Sequence, residues 1–379
     1  MNGSDRADGI VIVGGGVIGC AVLFELAKRG VHATLVERGM VGREASWASA
    51  GIISLPSRPA WRPERVELGR RSLERYPDLV DELEATTGIA IDYNRTGEWQ
   101  IAVDAEHAAE EAARVVYQRG LGYAVEEVPP AEARQREPAL PEALEAAWFV
   151  PGVGSLTVFR LTQALAAGAR ALGATVLEQT PVGGLLRDGG RVAGVRLLDR
   201  DLPAATTVLA TGAWTRFLGD AVGAALPTRP VKGQLVAFAN APVRPISVIA
   251  GHGGYVRPRP DGSVVVAATE EEAGFDRRVT GDGLAWLLDL TRTICPGLLA
   301  GELVESWSGL RPGSDTGDPM MGPVPGTDGL WVAAGHFRTG AKEAPATGAL
   351  VAAALAGEPP DPLLAAFAPP AAVGSGVAG

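Results

Sequence analysis

Lysine is almost missing from this 379-residue chain: Lys28, Lys232 and Lys342 are the only three among 34 basic side chains, and arginine supplies the rest. Cysteine is scarcer. Cys20 and Cys295 stand alone and far apart, which excludes a disulfide framework or a cysteine metal centre and points to a reducing compartment. Four scattered histidines argue against a histidine-rich site, so no metal is expected. No apolar run reaches the ~18 residues that cross a bilayer. A strand starting near Gly9 leaves no room for a secretion signal, so a cytoplasmic protein without a membrane partner is expected. The net charge of −10, with no basic stripe, gives no support to a nucleic-acid partner. Glycine, by contrast, is abundant at 50 residues, nearly twice the usual ~7%. Tight turns and close backbone approaches follow. A hydrophobic fraction of 46% supports a sizeable core, and the length allows two or three domains.

The first glycine cluster has a defined setting. Gly9-Ile10-Val11-Ile12-Val13 reads as a buried strand ending in Gly14-Gly15-Gly16-Val17-Ile18-Gly19; a helix follows to Arg29, and a second strand, 32–36, ends at Glu37. This is the βαβ unit with G-x-G-x-x-G at its first turn and an acid about twenty residues on. Gly14 permits the tight turn, Gly16 lets a pyrophosphate approach the backbone, and Gly19 lets helix and strand pack closely. Val17 and Ile18 open the helix, whose free N–H groups and positive dipole end point at phosphate. Glu37, with Arg38 beside it, accepts hydrogen bonds from a ribose 2′-OH. The unit does not by itself separate NAD from FAD.

Further along, apolar periodicity predicts helices over 65–87, 105–119, 161–172 and 281–295. Alternation predicts two short strands over 89–103 with a turn at Asn94-Arg95-Thr96-Gly97, then strands over 146–150, 175–179, 207–210, 230–238, 254–258, 264–267 and 303–307. Gly309-Leu310-Arg311-Pro312 reads as a rigid turn after the last of these. The expected fold class is α/β: a Rossmann-like dinucleotide-binding domain (1–88, 146–225 and 306–365) with an inserted, mainly antiparallel β-sheet substrate domain (89–145 and 226–305). The Pro/Ala/Gly-rich segment 366–379 is expected to be a flexible tail.

Four stretches together resemble the D-amino-acid-oxidase superfamily of FAD-dependent oxidases, nearest to glycine oxidases. They are the N-terminal unit, Pro230-Val231-Lys232-Gly233-Gln234, Ser308-Gly309-Leu310-Arg311-Pro312, and Gly335-His336-Phe337-Arg338-Thr339-Gly340 followed by Ala344-Pro345. The small-residue loop 42–53 resembles the one on which that superfamily lays FAD, which implies contacts from Ala45, Ser46, Ala50, Gly51 and Ile52. Read alone, it is equally a flexible Ser/Ala loop. The resemblance also implies Val182 at the adenine, Gly212 and Trp214 at the nucleotide, and the turn Gly335, His336, Phe337, Arg338, Thr339, Gly340, Ala341 and Lys342 against the flavin. His336 is expected to meet the flavin through its backbone rather than to act as a base.

The implied reaction is oxidation of a small amino acid or N-substituted glycine, with hydride passing from Cα to flavin N5, imine hydrolysis, and O2 reduced to H2O2. Arg311 would grip the carboxylate with two parallel hydrogen bonds, although an arginine read without context belongs to a surface ion pair. Tyr255 would add its hydroxyl, and Arg338 is a third anion-binding candidate. An FAD-dependent 2-hydroxy-acid dehydrogenase using an acceptor other than oxygen is the alternative on the same fold. A homo-oligomer is left open.

Lys342 departs from the glycine-oxidase pattern, which is apolar there. Counted from Gly335, it coincides with a lysine that sarcosine oxidases place against the substrate carboxylate. A cation at a helix N-terminus opposes the dipole by about 0.3–1 kcal/mol, so contact with the flavin or an acidic substrate group is expected. The bland alternative is an exposed first helical turn.

Overall fold

The computed structural model describes residues 9–56 and 61–371. Ile10–Val13 is apolar and buried at every position, as a central parallel strand covered on both faces must be. It pairs in parallel with Ala33–Val36 on one side and Thr206–Leu209 on the other. Thr175–Leu177 and Leu330–Ala334 extend this sheet in parallel, and Met320–Pro323 closes one edge antiparallel. Its two faces are distinct. Ile10, Ile12 and Leu35 pack under the helices Val17–Lys28, Pro63–Thr87, Val158–Ala171 and Gly340–Leu355. Val11, Val13, Leu209 and Val332 pack against a three-stranded antiparallel sheet through Val192, Val195 and Leu197.

A second, eight-stranded sheet runs Glu302–Ser314, Thr228–Ala239, Val264–Ala267, Gly254–Pro258, Val248–Gly251, Glu98–Ala102, Ala146–Val150 and Glu126–Glu127. One face packs Val236, Phe238, Val256 and Val266 against Leu287, Leu290 and Ile294 of the Gly281–Ile294 helix. The other turns Leu235, Val265 and Ala267 toward Ala48 and Ala50. The small-residue loop is thus held between the two halves of the molecule. The expected fold class is the observed one.

Several local expectations change. Residues 89–103 hold one strand, Glu98–Ala102, rather than two; the stretch before it makes only an isolated bridge, Asn94 to Ser155. The 303–307 strand continues to Ser314, so Arg311 lies within a strand and not in a turn. Gly309 and Pro312 signalled a turn, yet this is the sheet's edge strand, where a proline's missing N–H is tolerated. Ala146–Val150 pairs with Glu98–Ala102, in the sheet opposite to the one the expected boundaries gave it. The expected boundary at 305/306 falls inside a strand paired along its length with Thr228–Ala239. Phe367 of the expected tail is 2% exposed and packs in the core. Residues 372–379, and the segment before Gly9, lie outside the described residues.

The Gly340–Leu355 helix carries Pro345 in its interior, which removes the N–H that would bond the Ala341 carbonyl. The Tyr76 hydroxyl donates to that carbonyl instead, and Ser72 Oγ accepts from Ala346 N–H at 3.0 Å. The Pro63–Thr87 helix therefore completes a neighbour that its own sequence would break.

Candidate active site

The two halves face each other across two cavities of about 460 and 300 Å3. Gly16, Ala45, Ser46, Ala210, Gly212 and Leu310 line both, so the two run into one another. Of the cofactor-binding residues expected from the sequence, all line one or the other except Gly19, Gly335 and Lys342.

The smaller cavity lies at the βαβ turn. Gly14 has φ of +111°, and a Cβ there would sit 2.4 Å from the Ala210 carbonyl oxygen, so no other residue fits. A Cβ on Gly19 would lie 2.0 Å from the Gly14 oxygen; its part is close packing rather than contact with a ligand. Ser46 Oγ accepts from Val17 N–H at 3.0 Å. No side chain caps Gly16 and no acid occupies the helix's first turn, which leaves the remaining N–H groups open to an anion. Glu37 accepts from Gly15 N–H at 2.7 Å and Gly39 N–H at 2.8 Å, one bond to each oxygen, so lone pairs remain for a ribose hydroxyl. The Arg38 guanidinium stacks 4.1 Å from the Trp214 ring centre. This cradle fits a dinucleotide whose pyrophosphate caps the helix.

Arg311 and Tyr255 both line the larger cavity. Arg311 Nη1 donates to the Thr269 carbonyl at 3.0 Å and the Lys232 carbonyl at 3.3 Å. The guanidinium lies over Gly233, where a Cβ would come within 2.4 Å of Nη2. Burial lowers the Arg311 pKa and raises that of Tyr255. Arg311 has no carboxylate partner among the described residues. Arg338 reaches the same cavity, but its guanidinium is ion-paired with Glu270.

The turn after Leu330–Ala334 is held from behind. His336 is 1% exposed, its Nε2 lies 3.0 Å from Thr347 Oγ1, and burial followed by the Arg65 charge pushes its pKa down to about 3. It is a neutral ring committed to packing. Phe337 takes φ of +53°, a strained conformation for a side chain of that size. Arg65, 2% exposed, pairs with Glu343 at 3.1 Å and Asp318 at 3.2 Å, and donates to Thr339 Oγ1 at 2.7 Å and the His336 carbonyl at 3.3 Å. Sequence reasoning missed Arg65 and Tyr76. The signal for the first was Glu343, an acid inside an apolar helix that required a cation from elsewhere.

Lys342 stands apart from the other expected residues. Its side chain is 4% exposed, with Nζ 4.8 Å from the Trp61 ring centre and against Gly69 of the Pro63–Thr87 helix. Desolvation lowers its pKa to about 8, with Glu343 opposing and Arg65 reinforcing the shift. Lys342 is not among the residues that line the larger cavity, whereas Trp61, against which it lies, is.

Residues 9–354 match the model of the FAD dependent oxidoreductase family, DAO. The chain is 38% identical over 354 residues to a glycine oxidase of Pseudomonas aeruginosa, covering 93% of this chain and 95% of that protein. The crystal structure of glycine oxidase from Geobacillus kaustophilus superposes with a TM-score of 0.88 at 35% identity, over 95% of this chain and 98% of that one. That of iminodiacetate oxidase from Chelativorans also gives 0.88, at 27% identity, over 96% and 99%. The match spans the dinucleotide cradle and the strand that carries Arg311, and the chain belongs to the DAO family of FAD-dependent oxidoreductases.

Proposed function

We propose that this protein is an FAD-dependent oxidase of glycine-type substrates, a small amino acid or an N-substituted glycine. One observation carries the reading. Arg311 presents a buried guanidinium to the cavity beside Tyr255, with only neutral backbone carbonyls as partners. Burying a cation without an anion is costly, and a substrate carboxylate supplies the missing charge through two parallel hydrogen bonds. The Tyr255 hydroxyl, kept protonated by burial, donates to the same carboxylate. Bound FAD supplies the two-electron acceptor, with O2 taking the electrons onward to give H2O2.

The division of labour follows the two large sheets. The parallel sheet and its helices hold the dinucleotide, and the eight-stranded sheet carries the substrate groups. The substrate leaves as an imine once the α-carbon has lost hydride and the amine lone pair has formed C=N; water then yields an oxo acid and an amine or ammonia. No side chain need act as a base, because the amine enters neutral, and His336 is unavailable with its Nε2 held by Thr347. The relatives act on glycine and on iminodiacetate, itself an N-substituted glycine. No described helix is long and apolar enough to cross a membrane, and two free, buried cysteines suit a reducing compartment, so we place the reaction in the cytoplasm. Purified holoenzyme under air should release H2O2 with glycine or N-methylglycine and none with 2-hydroxy acids. The reverse pattern overturns the proposal.

A further inference from the structure

The larger cavity has a polar end that glycine oxidation does not use. Glu98 lines it, as do Glu111, Arg114 and Gln118 of the Ala105–Gly120 helix. Steps of three and four residues put those three on one helix face, a face that would ordinarily be apolar. Glu98 is 5% exposed and Gln118 is 1% exposed. Arg114 is ion-paired with Glu111, though its Nε and Nη2 make no hydrogen bond among the described residues; one cation faces two carboxylates, and one negative charge is left over. Glu98 takes one hydrogen bond, from Gln100 Nε2 at 2.9 Å, and Gln118 donates to the Pro56 carbonyl at 3.3 Å. The side-chain oxygens of Gln118 and Gln100 are buried with no donor among the described residues. Unmatched buried acceptors are costly, and these sit with a buried carboxylate. What they lack is a donor, best a cation.

The register fixes where such a group would lie. Tyr255 is paired with Ala250, and Ala250 with Gln100. Tyr255 and Gln100 therefore occupy one row, two strand spacings or roughly 10 Å apart, with Glu98 on the same face two residues before Gln100. A distal anion would meet two carboxylates, Glu98 and Glu111, against the single cation Arg114, and Arg338 is already paired with Glu270. Burial raises the pKa of Glu98 and brings that of Glu111 to about 7, shifts that a docked cation would reverse.

We propose that this end of the cavity is a specificity subsite for an ammonium group at the tip of the substrate's side chain or N-substituent, held by Glu98 and Gln118. The inference rests on the reading above in one respect, that Arg311 and Tyr255 hold the α-carboxylate. The preferred substrates are thus diamino acids, or glycines with an aminoalkyl group on nitrogen.

Binding without turnover tests it. The probes are 6-aminohexanoate and hexanoate, which share the carboxylate and differ by the terminal ammonium, titrated calorimetrically into the holoenzyme. Wild type should favour 6-aminohexanoate by about tenfold or more, equivalent to ~1.4 kcal/mol, and Glu98→Gln should bring the two within about threefold. Glu111→Gln, which alters the neighbouring carboxylate, serves as the second variant, and FAD content certifies each preparation. Equal affinities in wild type, or a preference intact in both variants, overturn the subsite. Glycine turnover in the same wild-type preparation separates the two ideas. Equal affinities with glycine still oxidised remove the subsite alone, whereas a clear preference with no amino acid oxidised removes the oxidase reading alone.

Discussion

Replacing Arg65 with methionine would leave Glu343 as a charge with no hydrogen-bonded cation at a site that is 0% exposed. Removing one partner of a buried pair typically costs about 3–5 kcal/mol, because the surviving charge stays desolvated, whereas replacing both by apolar groups is often neutral. The variant also strips the His336 carbonyl and Thr339 Oγ1 of a donor, which loosens the turn that lines the cavity. The single variant should therefore melt lower by roughly 5–10 °C, taking a few degrees per kcal/mol for a chain of this size. Arg65→Met with Glu343→Leu should recover part of that loss, a coupling of about 1 kcal/mol or more, and Asp318 keeps its ion pair with Arg62 at 3.0 Å. The assay is thermal unfolding of the holoenzyme at fixed FAD, with flavin release read in parallel from its fluorescence. A single variant that melts within about 2 °C of wild type, or a double variant no better than the single, refutes the argument that this pair holds the turn.

Lys342→Met should raise the melting temperature at pH 7. With its folded pKa near 8 and an unfolded value of ~10.4, the lysine is charged in both states below pH 8 and its burial penalty is fully present. That penalty fades as pH rises from about 8 to 10, so the variant's advantage over wild type shrinks across that range, and its kcat/KM stays within about threefold of wild type. Gly233→Ala puts a methyl group where the Arg311 guanidinium lies. It should raise KM for glycine by about tenfold or more, while FAD binding is unchanged. Glu270→Gln frees Arg338 from its ion pair; relative kcat/KM for iminodiacetate over glycine should rise by about threefold or more, and an unchanged ratio would place Arg338 outside substrate recognition.

The dinucleotide unit was legible because its chemistry needs glycine at fixed positions, and Gly14 and Gly19 prove to have no room for a Cβ. Arg311 stands in a family-like stretch and Tyr255 does not, yet both line the larger cavity; the strand under Arg311 was hidden by Gly309 and Pro312, which look like a turn until the sheet edge is known. Lys342 shows what counting along the chain leaves out. Counting from Gly335 gives position along the chain and not direction, and the helix that starts at Gly340 turns this side chain toward Trp61 and Gly69. Arg65 is one of four arginines in its helix, and only tertiary contact sets it apart. Adjacent residues on a helix do not face each other, so Lys342 could never have been the full partner of Glu343. The polar row of Glu111, Arg114 and Gln118 was readable as a helix face but had no meaning until the sheet opposite it was placed.

The central claim is that a carboxylate gripped by Arg311 and Tyr255 presents an amino acid's α-carbon to FAD. Anaerobic mixing of the holoenzyme with glycine or N-methylglycine tests it most directly, because it isolates reduction from the choice of electron acceptor. Bleaching of the oxidised flavin's visible absorption is expected in wild type. In Arg311→Met with full FAD content the same rate should require at least about a hundredfold more substrate, as loss of a buried charge-assisted bidentate contact demands. A flavin that stays oxidised with both amino acids yet bleaches with a 2-hydroxy acid, or an Arg311→Met variant that reduces as readily as wild type, would contradict it.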